Sequence, residues 1–316
     1  MGVVLTLFCM GSKPIFKNQY KELRAGWQIA LFILLLAGAS AACIAPAILL
    51  FEERDTQRLS VVTLMAVLLA TYAATRFINR KPFSATGLAL NRITMRQLGI
   101  GCLLGWLMMT AIFGVEYLFD YVKVVASEMS LPQMMQTVGL SLVLFAVAAM
   151  VEEVLFRGYL FQTLVRGVKF IPAVFIMGVL FGLSHLGNPN ASAFGILNTV
   201  LVAAVFCLAY WRTRSLWLPF GIHFAWNFSQ TTLYGYPTSG KHFSDYELTS
   251  FTQFGPEWLT GGAYGPEGGA LATLLIVLCG VYLFFAESLK PAPGIAVLER
   301  DEEDLGTTFL ERSPSA

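Results

Sequence analysis

The chain has 316 residues, of which 56% are hydrophobic and 13% are charged, and its formal net charge is +1. Soluble domains contain about 25% charged residues, so this composition predicts an integral membrane protein. The near-neutral charge gives no indication of nucleic-acid binding. The five cysteines form no C-x-x-C pair, which argues against a disulfide framework or a zinc knuckle.

Eight apolar stretches are candidate transmembrane helices, because a span needs about 20 mostly apolar residues. They are residues 26–51, 60–78, 97–119, 138–165, 172–186, 193–211, 215–235 and 268–286. The predicted fold is therefore all-α, a polytopic membrane helical bundle of about eight transmembrane helices.

Lysine and arginine are concentrated in alternate loops of this arrangement. They precede the first span and recur between spans two and three, four and five, and six and seven, whereas the other loops contain few. The positive-inside rule then predicts that both termini are cytoplasmic.

The spans divide the chain into six segments, most of them within the membrane. They are a cytoplasmic N-terminal segment (1–25), N-terminal transmembrane helices (26–137), a transmembrane core (138–235), an external loop (236–267), a last transmembrane helix (268–286) and an acidic cytoplasmic tail (287–316). The external loop is rich in glycine and aromatic residues, and its length favours an ordered cap or a membrane-surface segment. The tail is expected to be disordered.

Three ionisable side chains interrupt the fourth span. Glu152, Glu153 and Arg157 follow residues 138–151, which contain no charge. Each ionisable group at the bilayer centre costs at least about 2.5–3.5 kcal/mol, so such groups indicate a functional site by default. Glu153 and Arg157 are four residues apart and can pair along the helix. Glu152 is turned about 100° away from Glu153.

Two histidines lie in other spans. His185 is near the end of span five, and His223 is in span seven, where Asn227 follows on the same helix face. Counted from the predicted cytoplasmic ends, Glu152, His185 and His223 lie about 20, 20 and 12 Å deep. We therefore expect these residues to meet in one cavity that is reached from the cytoplasm.

This set of side chains can activate water. Glu152 would act as the general base, and imidazole or amide N–H groups would stabilise an oxyanion. A zinc ion held by His185, His223 and Glu152 is an alternative. Structural interpretations are also open, because intramembrane charges often pair and a histidine often only joins two helices.

Three motifs occur in chain order and resemble those of the CPBP family of intramembrane proteases, which includes CAAX prenyl protease 2 and the Abi and bacteriocin-processing proteins. Residues 152–157 resemble its EExxxR motif, residues 181–185 its FxxxH motif and residues 223–227 its HxxxN motif. The resemblance covers residues 138–235. It implies an intramembrane endopeptidase in a bacterial cytoplasmic membrane, with CAAX-type processing of a membrane-associated protein or peptide.

The resemblance also implies roles for individual residues. Glu152, assisted by His185, would activate the attacking water. His223 and Asn227 would stabilise the oxyanion. The residues implied to support the site are Glu153, Arg157 and Phe181. The family has been described both as glutamate-type and as metal-dependent, so no cofactor is assigned and zinc stays an alternative.

Two other functions compete with proteolysis. One is a non-catalytic membrane factor for bacteriocin immunity or membrane-protein assembly. The other is a transporter or proton relay, which would predict an internal repeat, and the sequence contains none. The expected partners are membrane lipid and a peptide or membrane-protein substrate. The sequence has no signature of prenyl specificity or of an oligomeric state.

Overall fold

The structure, a computed structural model, describes residues 15–18, 22–50, 56–294 and 296–298. Most of the predicted N-terminal segment and most of the acidic residues of the predicted tail lie outside the described residues.

Helices dominate the described part of the chain, and the all-α prediction is confirmed. The helices are α1 (Ala25–Leu50), α2 (Thr56–Ala73), α3 (Arg92–Leu118), α4 (Leu131–Glu153), α5 (Phe161–Val168), α6 (Phe170–Ser184), α7 (Ala193–Thr213), α8 (Trp217–Phe228), α9 (Glu257–Thr260) and α10 (Ala270–Phe285). Wider π-helical turns follow α2 (Ala74–Ile78), join α4 to α5 (Val154–Leu160) and follow α8 (Ser229–Leu233).

Five helical segments are long and apolar enough to cross a membrane. They are Ala25–Ile48, Gln57–Ile78, Arg92–Leu118, Leu131–Val168 and Ala193–Thr213. Helices α6 and α10 are apolar but shorter. A membrane-spanning helical bundle is therefore supported, whereas the predicted count of eight spans is not confirmed.

Helix α4 begins seven residues earlier than the predicted span. Ser130 precedes it in a capping box with Gln133, and a proline lies in the first turn. Both features mark the start of a helix, but a hydropathy profile does not detect them. Residues 131–168 consequently form one long helical run, and the charged motif lies near its middle.

A small antiparallel sheet was not predicted. Strand β1 (Val122–Ala126) pairs with strand β2 (Thr249–Gln253), with Val124 opposite Phe251. It connects the region after α3 to residues 236–267, here called the cap segment. Two further contacts hold this region: Tyr236 Oη donates to Glu116 Oε2 over 2.7 Å, and Asn198 Nδ2 donates to the carbonyl of Glu267 over 2.8 Å.

Helices α3 and α8 approach backbone to backbone. A Cβ atom added at Gly101 or Gly105 would collide with the backbone of α8 at Leu218 or Ile222. Small residues allow such close approach between membrane helices. Because α8 contains His223 and Asn227, this contact sets the position of two of the predicted site residues.

We therefore expect Gly105→Ala to lower the free energy of unfolding by about 1–3 kcal/mol, since the added methyl group has no space against Ile222. Gly99→Ala is the matched control, because Gly99 is on the same helix and has open space beside it. Unfolding of the purified protein in detergent checks this prediction. Equal stability of the two variants would contradict it.

Candidate active site

One cavity brings the three motifs together. Its wall includes Glu152 from α4, His185 at the end of α6, and His223 with Asn227 from α8. Its volume is about 170 Å³, which is enough for several water molecules. Apolar side chains from α3, α4, α6, α7, α8 and α10 complete the wall.

Glu153 lies behind this cavity and is fully buried. Its Oε1 atom is 3.3 Å from Arg157 Nη1 and 2.9 Å from His223 Nδ1. A carboxylate accepts hydrogen bonds, so Nδ1 of His223 bears a proton in this contact. The other ring nitrogen, Nε2, is consequently directed towards Glu152, whose Oε2 atom lies 3.8 Å away.

Glu152 is the carboxylate that faces the cavity. Its side chain is 32% exposed, whereas that of Glu153 is 0% exposed. Its Oε2 atom is buried and has no hydrogen-bond partner among the described residues. A distance of 3.8 Å to His223 Nε2 is too long for a direct hydrogen bond but leaves the carboxylate free to hold a water molecule.

Arg157 is buried between aromatic rings. Its guanidinium carbon lies 4.5 Å from the ring centroid of Phe181 and 5.1 Å from that of Phe206, and Nη2 donates to the carbonyl of Ala203 over 3.4 Å. Guanidinium groups stack favourably on aromatic faces. Arg157 therefore neutralises Glu153 and also joins the α4–α5 run to α6 and α7.

The π-helical turn that contains Arg157 affects the directions in which the side chains of the EExxxR motif point. It begins directly after Glu153 and has one extra residue per turn compared with an α-helix. Such turns are frequent at functional sites. Here the turn allows Arg157 to face inward towards Glu153 while Glu152 faces the cavity.

His185 is held by its own helix. Its Nδ1 atom lies 2.9 Å from the carbonyl of Phe181 and 3.1 Å from Ser184 Oγ, and its ring centroid is 4.7 Å from that of Phe181. The side-chain hydrogen bonds described for His185 involve only Phe181 and Ser184 and do not reach Glu152. These contacts do not test whether His185 assists Glu152, so that role stays a prediction.

Zinc binding by His185, His223 and Glu152 is not supported. In the described part of the chain, no three His, Cys, Asp or Glu side chains are close enough together to hold a metal ion. His223 also uses Nδ1 to contact Glu153. The donor set that zinc would need is therefore not assembled.

The cap segment supplies cavity residues that the sequence did not reveal. They are Thr238, Ser239, Lys241, Phe243 and Glu267. A glycine-rich loop has no regular sequence period, so the sequence does not show which of its side chains face the cavity. The cavity therefore extends to the cap segment, and the side of the membrane from which it is reached stays a prediction.

Comparison with known proteins agrees with the motifs. Residues 134–229 match the family described as Rce1-like, type II CAAX prenyl endopeptidase Rce1-like. This segment contains all seven of the residues named above as catalytic or supporting. The match confirms the resemblance to the CPBP family over this segment, which is just under a third of the chain.

One curated relative is the uncharacterized protein YyaK from Bacillus subtilis. The two are 24% identical over 173 residues, which are 54% of this chain and 58% of the relative. The chain thus matches little more than half of the length of that protein. No solved structure matches the chain.

Replacing Arg157 tests the buried pair. We expect Arg157→Met to lower the free energy of unfolding by about 3–5 kcal/mol, because it leaves the Glu153 carboxylate buried without its cation. Glu153→Gln in the same protein should restore part of the loss, since no uncompensated charge remains. The double-mutant cycle in detergent measures this coupling, and additive losses would contradict the pairing.

Proposed function

We propose that this protein is an intramembrane endopeptidase that hydrolyses a peptide bond of a membrane-associated protein or peptide, with CAAX-type processing as the reaction class. The observation that supports the proposal most is the arrangement of His223 between two carboxylates. Glu153 fixes one ring nitrogen, and Glu152 lies beside the other in a cavity that has room for water. The Rce1-like match over the same residues supports the same reaction class.

In this proposal Glu152 is the general base. A water molecule in the cavity gives a proton to the Glu152 carboxylate as its oxygen attacks the scissile carbonyl carbon. The π electrons of the carbonyl move onto its oxygen and form an oxyanion. Glu152 suits this role because its side chain lines the cavity and is 32% exposed.

His223 and Asn227 would stabilise the oxyanion. In its imidazolium form, His223 donates through Nδ1 to Glu153 and through Nε2 into the cavity, while the amide of Asn227 lies one helical turn further along α8. Fixed donors of this kind lower the barrier because they need no reorganisation during the reaction. When the C–N bond breaks, its electron pair stays on nitrogen, and the proton that Glu152 took from water is transferred to the leaving amine.

We propose the glutamate-type form of the reaction. The three residues considered for zinc do not form a ligand cluster, and Glu152 with His223 provides a base and a donor from side chains alone. Location in a bacterial cytoplasmic membrane with cytoplasmic termini is part of the same proposal. It is supported by the alternating loop charges and by the bacterial relative.

Glu152→Gln is the direct test. We expect it to reduce cleavage of a membrane-peptide library by at least about 100-fold, because the amide cannot accept the proton of water. Glu128→Gln is the control, since Glu128 is exposed and precedes α4. Full retention of the biological phenotype by Glu152→Gln would instead favour a non-catalytic membrane factor.

Chelation gives a second test. The activity of the purified protein should be unchanged, within about 2-fold, after treatment with a strong zinc chelator and removal of the metal, since the proposed reaction uses side chains only. Elemental analysis of the same sample confirms the removal. Loss of activity that added zinc restores would overturn the glutamate-type assignment.

A further inference from the structure

We propose that exposed aromatic side chains anchor the cap segment in the lipid headgroup region of the membrane leaflet that it faces. The side chains concerned, here called the aromatic patch, are Tyr117, Phe119, Phe254 and Trp258, and each is more than half exposed. Two of them lie at the end of α3 and two in the cap segment. This inference goes beyond the proposed function and does not depend on it.

Hydrogen bonds and ring contacts join the two halves of the patch. The backbone N–H of Phe254 donates to the carbonyl of Tyr121 over 2.8 Å, and the Tyr121 ring stacks on that of Phe119, with ring centroids 5.9 Å apart. The Gln253 side chain donates over 3.4 Å to the carbonyl of Thr260, the last residue of α9. The end of α3 and this part of the cap segment therefore form one continuous surface.

The small sheet beside the patch has an inner and an outer face. Val122 is buried and Val124 packs against the same hydrophobic core, whereas Lys123 and Val125 are exposed. The Lys123 Nζ atom lies 5.3 Å from the ring centroid of Phe254. Aromatic rings and lysine side chains suit a membrane interface, because they contact acyl chains and headgroups at the same time. The outer face thus has the composition of an interfacial surface.

The length of α3 places the patch at a membrane surface. Arg96 is exposed near the start of this helix, and residues 97–115 contain no charged side chain. From Arg96 to Tyr117 the helix rises about 32 Å, at about 1.5 Å per residue. This rise is close to the roughly 30 Å thickness of the hydrocarbon core. With Arg96 at one edge of the core, Tyr117 and Phe119 therefore lie at the opposite edge, and the cap residues that contact this end lie beside them.

Lipid is the occupant that this surface fits best. The patch continues the exposed apolar surface of α3, where Leu103 and Leu107 face outward from a helix long enough to span the membrane. The charged residues next to the patch in the chain are Lys123, Asp120 and Glu257, so neither sign of charge dominates. Burial of aromatic surface, and not attraction to a charged partner, therefore provides the anchor.

The anchor also fixes the height of one wall of the cavity. Phe254 and Trp258 lie in the chain between Phe243 and Glu267, which both line the cavity. Asn198 Nδ2, from α7, donates to the carbonyl of Glu267 over 2.8 Å and so ties the far end of the cap segment to the membrane helices. The cap end of the cavity is thus held near the headgroup region on both sides of the patch.

Fluorine NMR of the full chain, labelled with 5-fluorotryptophan in phosphatidylcholine nanodiscs, tests this inference. The chain has six tryptophans, and Trp258→Phe and Trp226→Phe assign the two signals needed. We expect a nitroxide on the lipid headgroup to broaden the Trp258 signal about 3-fold more than a soluble gadolinium chelate does, because the ring lies among the headgroups. Trp226 is the matched control. It is buried on the cavity wall, so the headgroup nitroxide should broaden its signal less than that of Trp258.

Two results would overturn the inference. Equal or stronger broadening of the Trp258 signal by the gadolinium chelate would show that this ring faces water. Protection of the signal from both probes would show that a second copy of the chain or another protein covers the patch. The measurement requires no peptide cleavage, so either result leaves the proposed function standing, and a protein that cleaves nothing can still confirm the anchor.

Discussion

The site depends on one buried carboxylate, that of Glu153. Its Oε1 atom contacts both Arg157 and His223, so a single atom joins the motif on α4 to the motif on α8. An isolated charge in this position would be very costly, and the guanidinium stacked between Phe181 and Phe206 offsets that cost. The second glutamate, Glu152, is consequently free to face the cavity. Two adjacent residues of the same type thus have different environments, and this difference separates a supporting role from a chemical one.

The position of α8 is the second constraint on which this arrangement depends. Gly101 and Gly105 let α8 approach α3 closely enough to bring His223 within reach of Glu153. The cap segment closes the other side of the cavity, and Tyr236 and Asn198 fasten it to buried groups of α3 and α7. The catalytic chemistry proposed for the motifs therefore needs residues that no motif includes.

Much of the helical framework, and the grouping of motif residues in one cavity, could be predicted because both leave local signals. Apolar length indicates the spans, and charges within an apolar run indicate the site. Three features had no such signal. The partner of β1 is more than a hundred residues away, the π-helical turn after Glu153 has no distinct composition, and the side-chain directions in the cap segment depend on tertiary contacts. The start of α4 was placed seven residues too late because hydropathy does not register the polar capping residues that begin this helix.

The tautomer and mobility of His223 provide the most direct measurement of this arrangement. The chain has only three histidines, so ¹⁵N-histidine NMR of the protein in lipid nanodiscs can be assigned with His185 and His242 variants. The predicted result is a His223 signal with Nδ1 protonated and in a strong hydrogen bond, which Glu153→Gln abolishes and Glu152→Gln does not. A His223 ring that exchanges freely between tautomers in the wild-type protein would contradict the claim that Glu153 orients it beside Glu152.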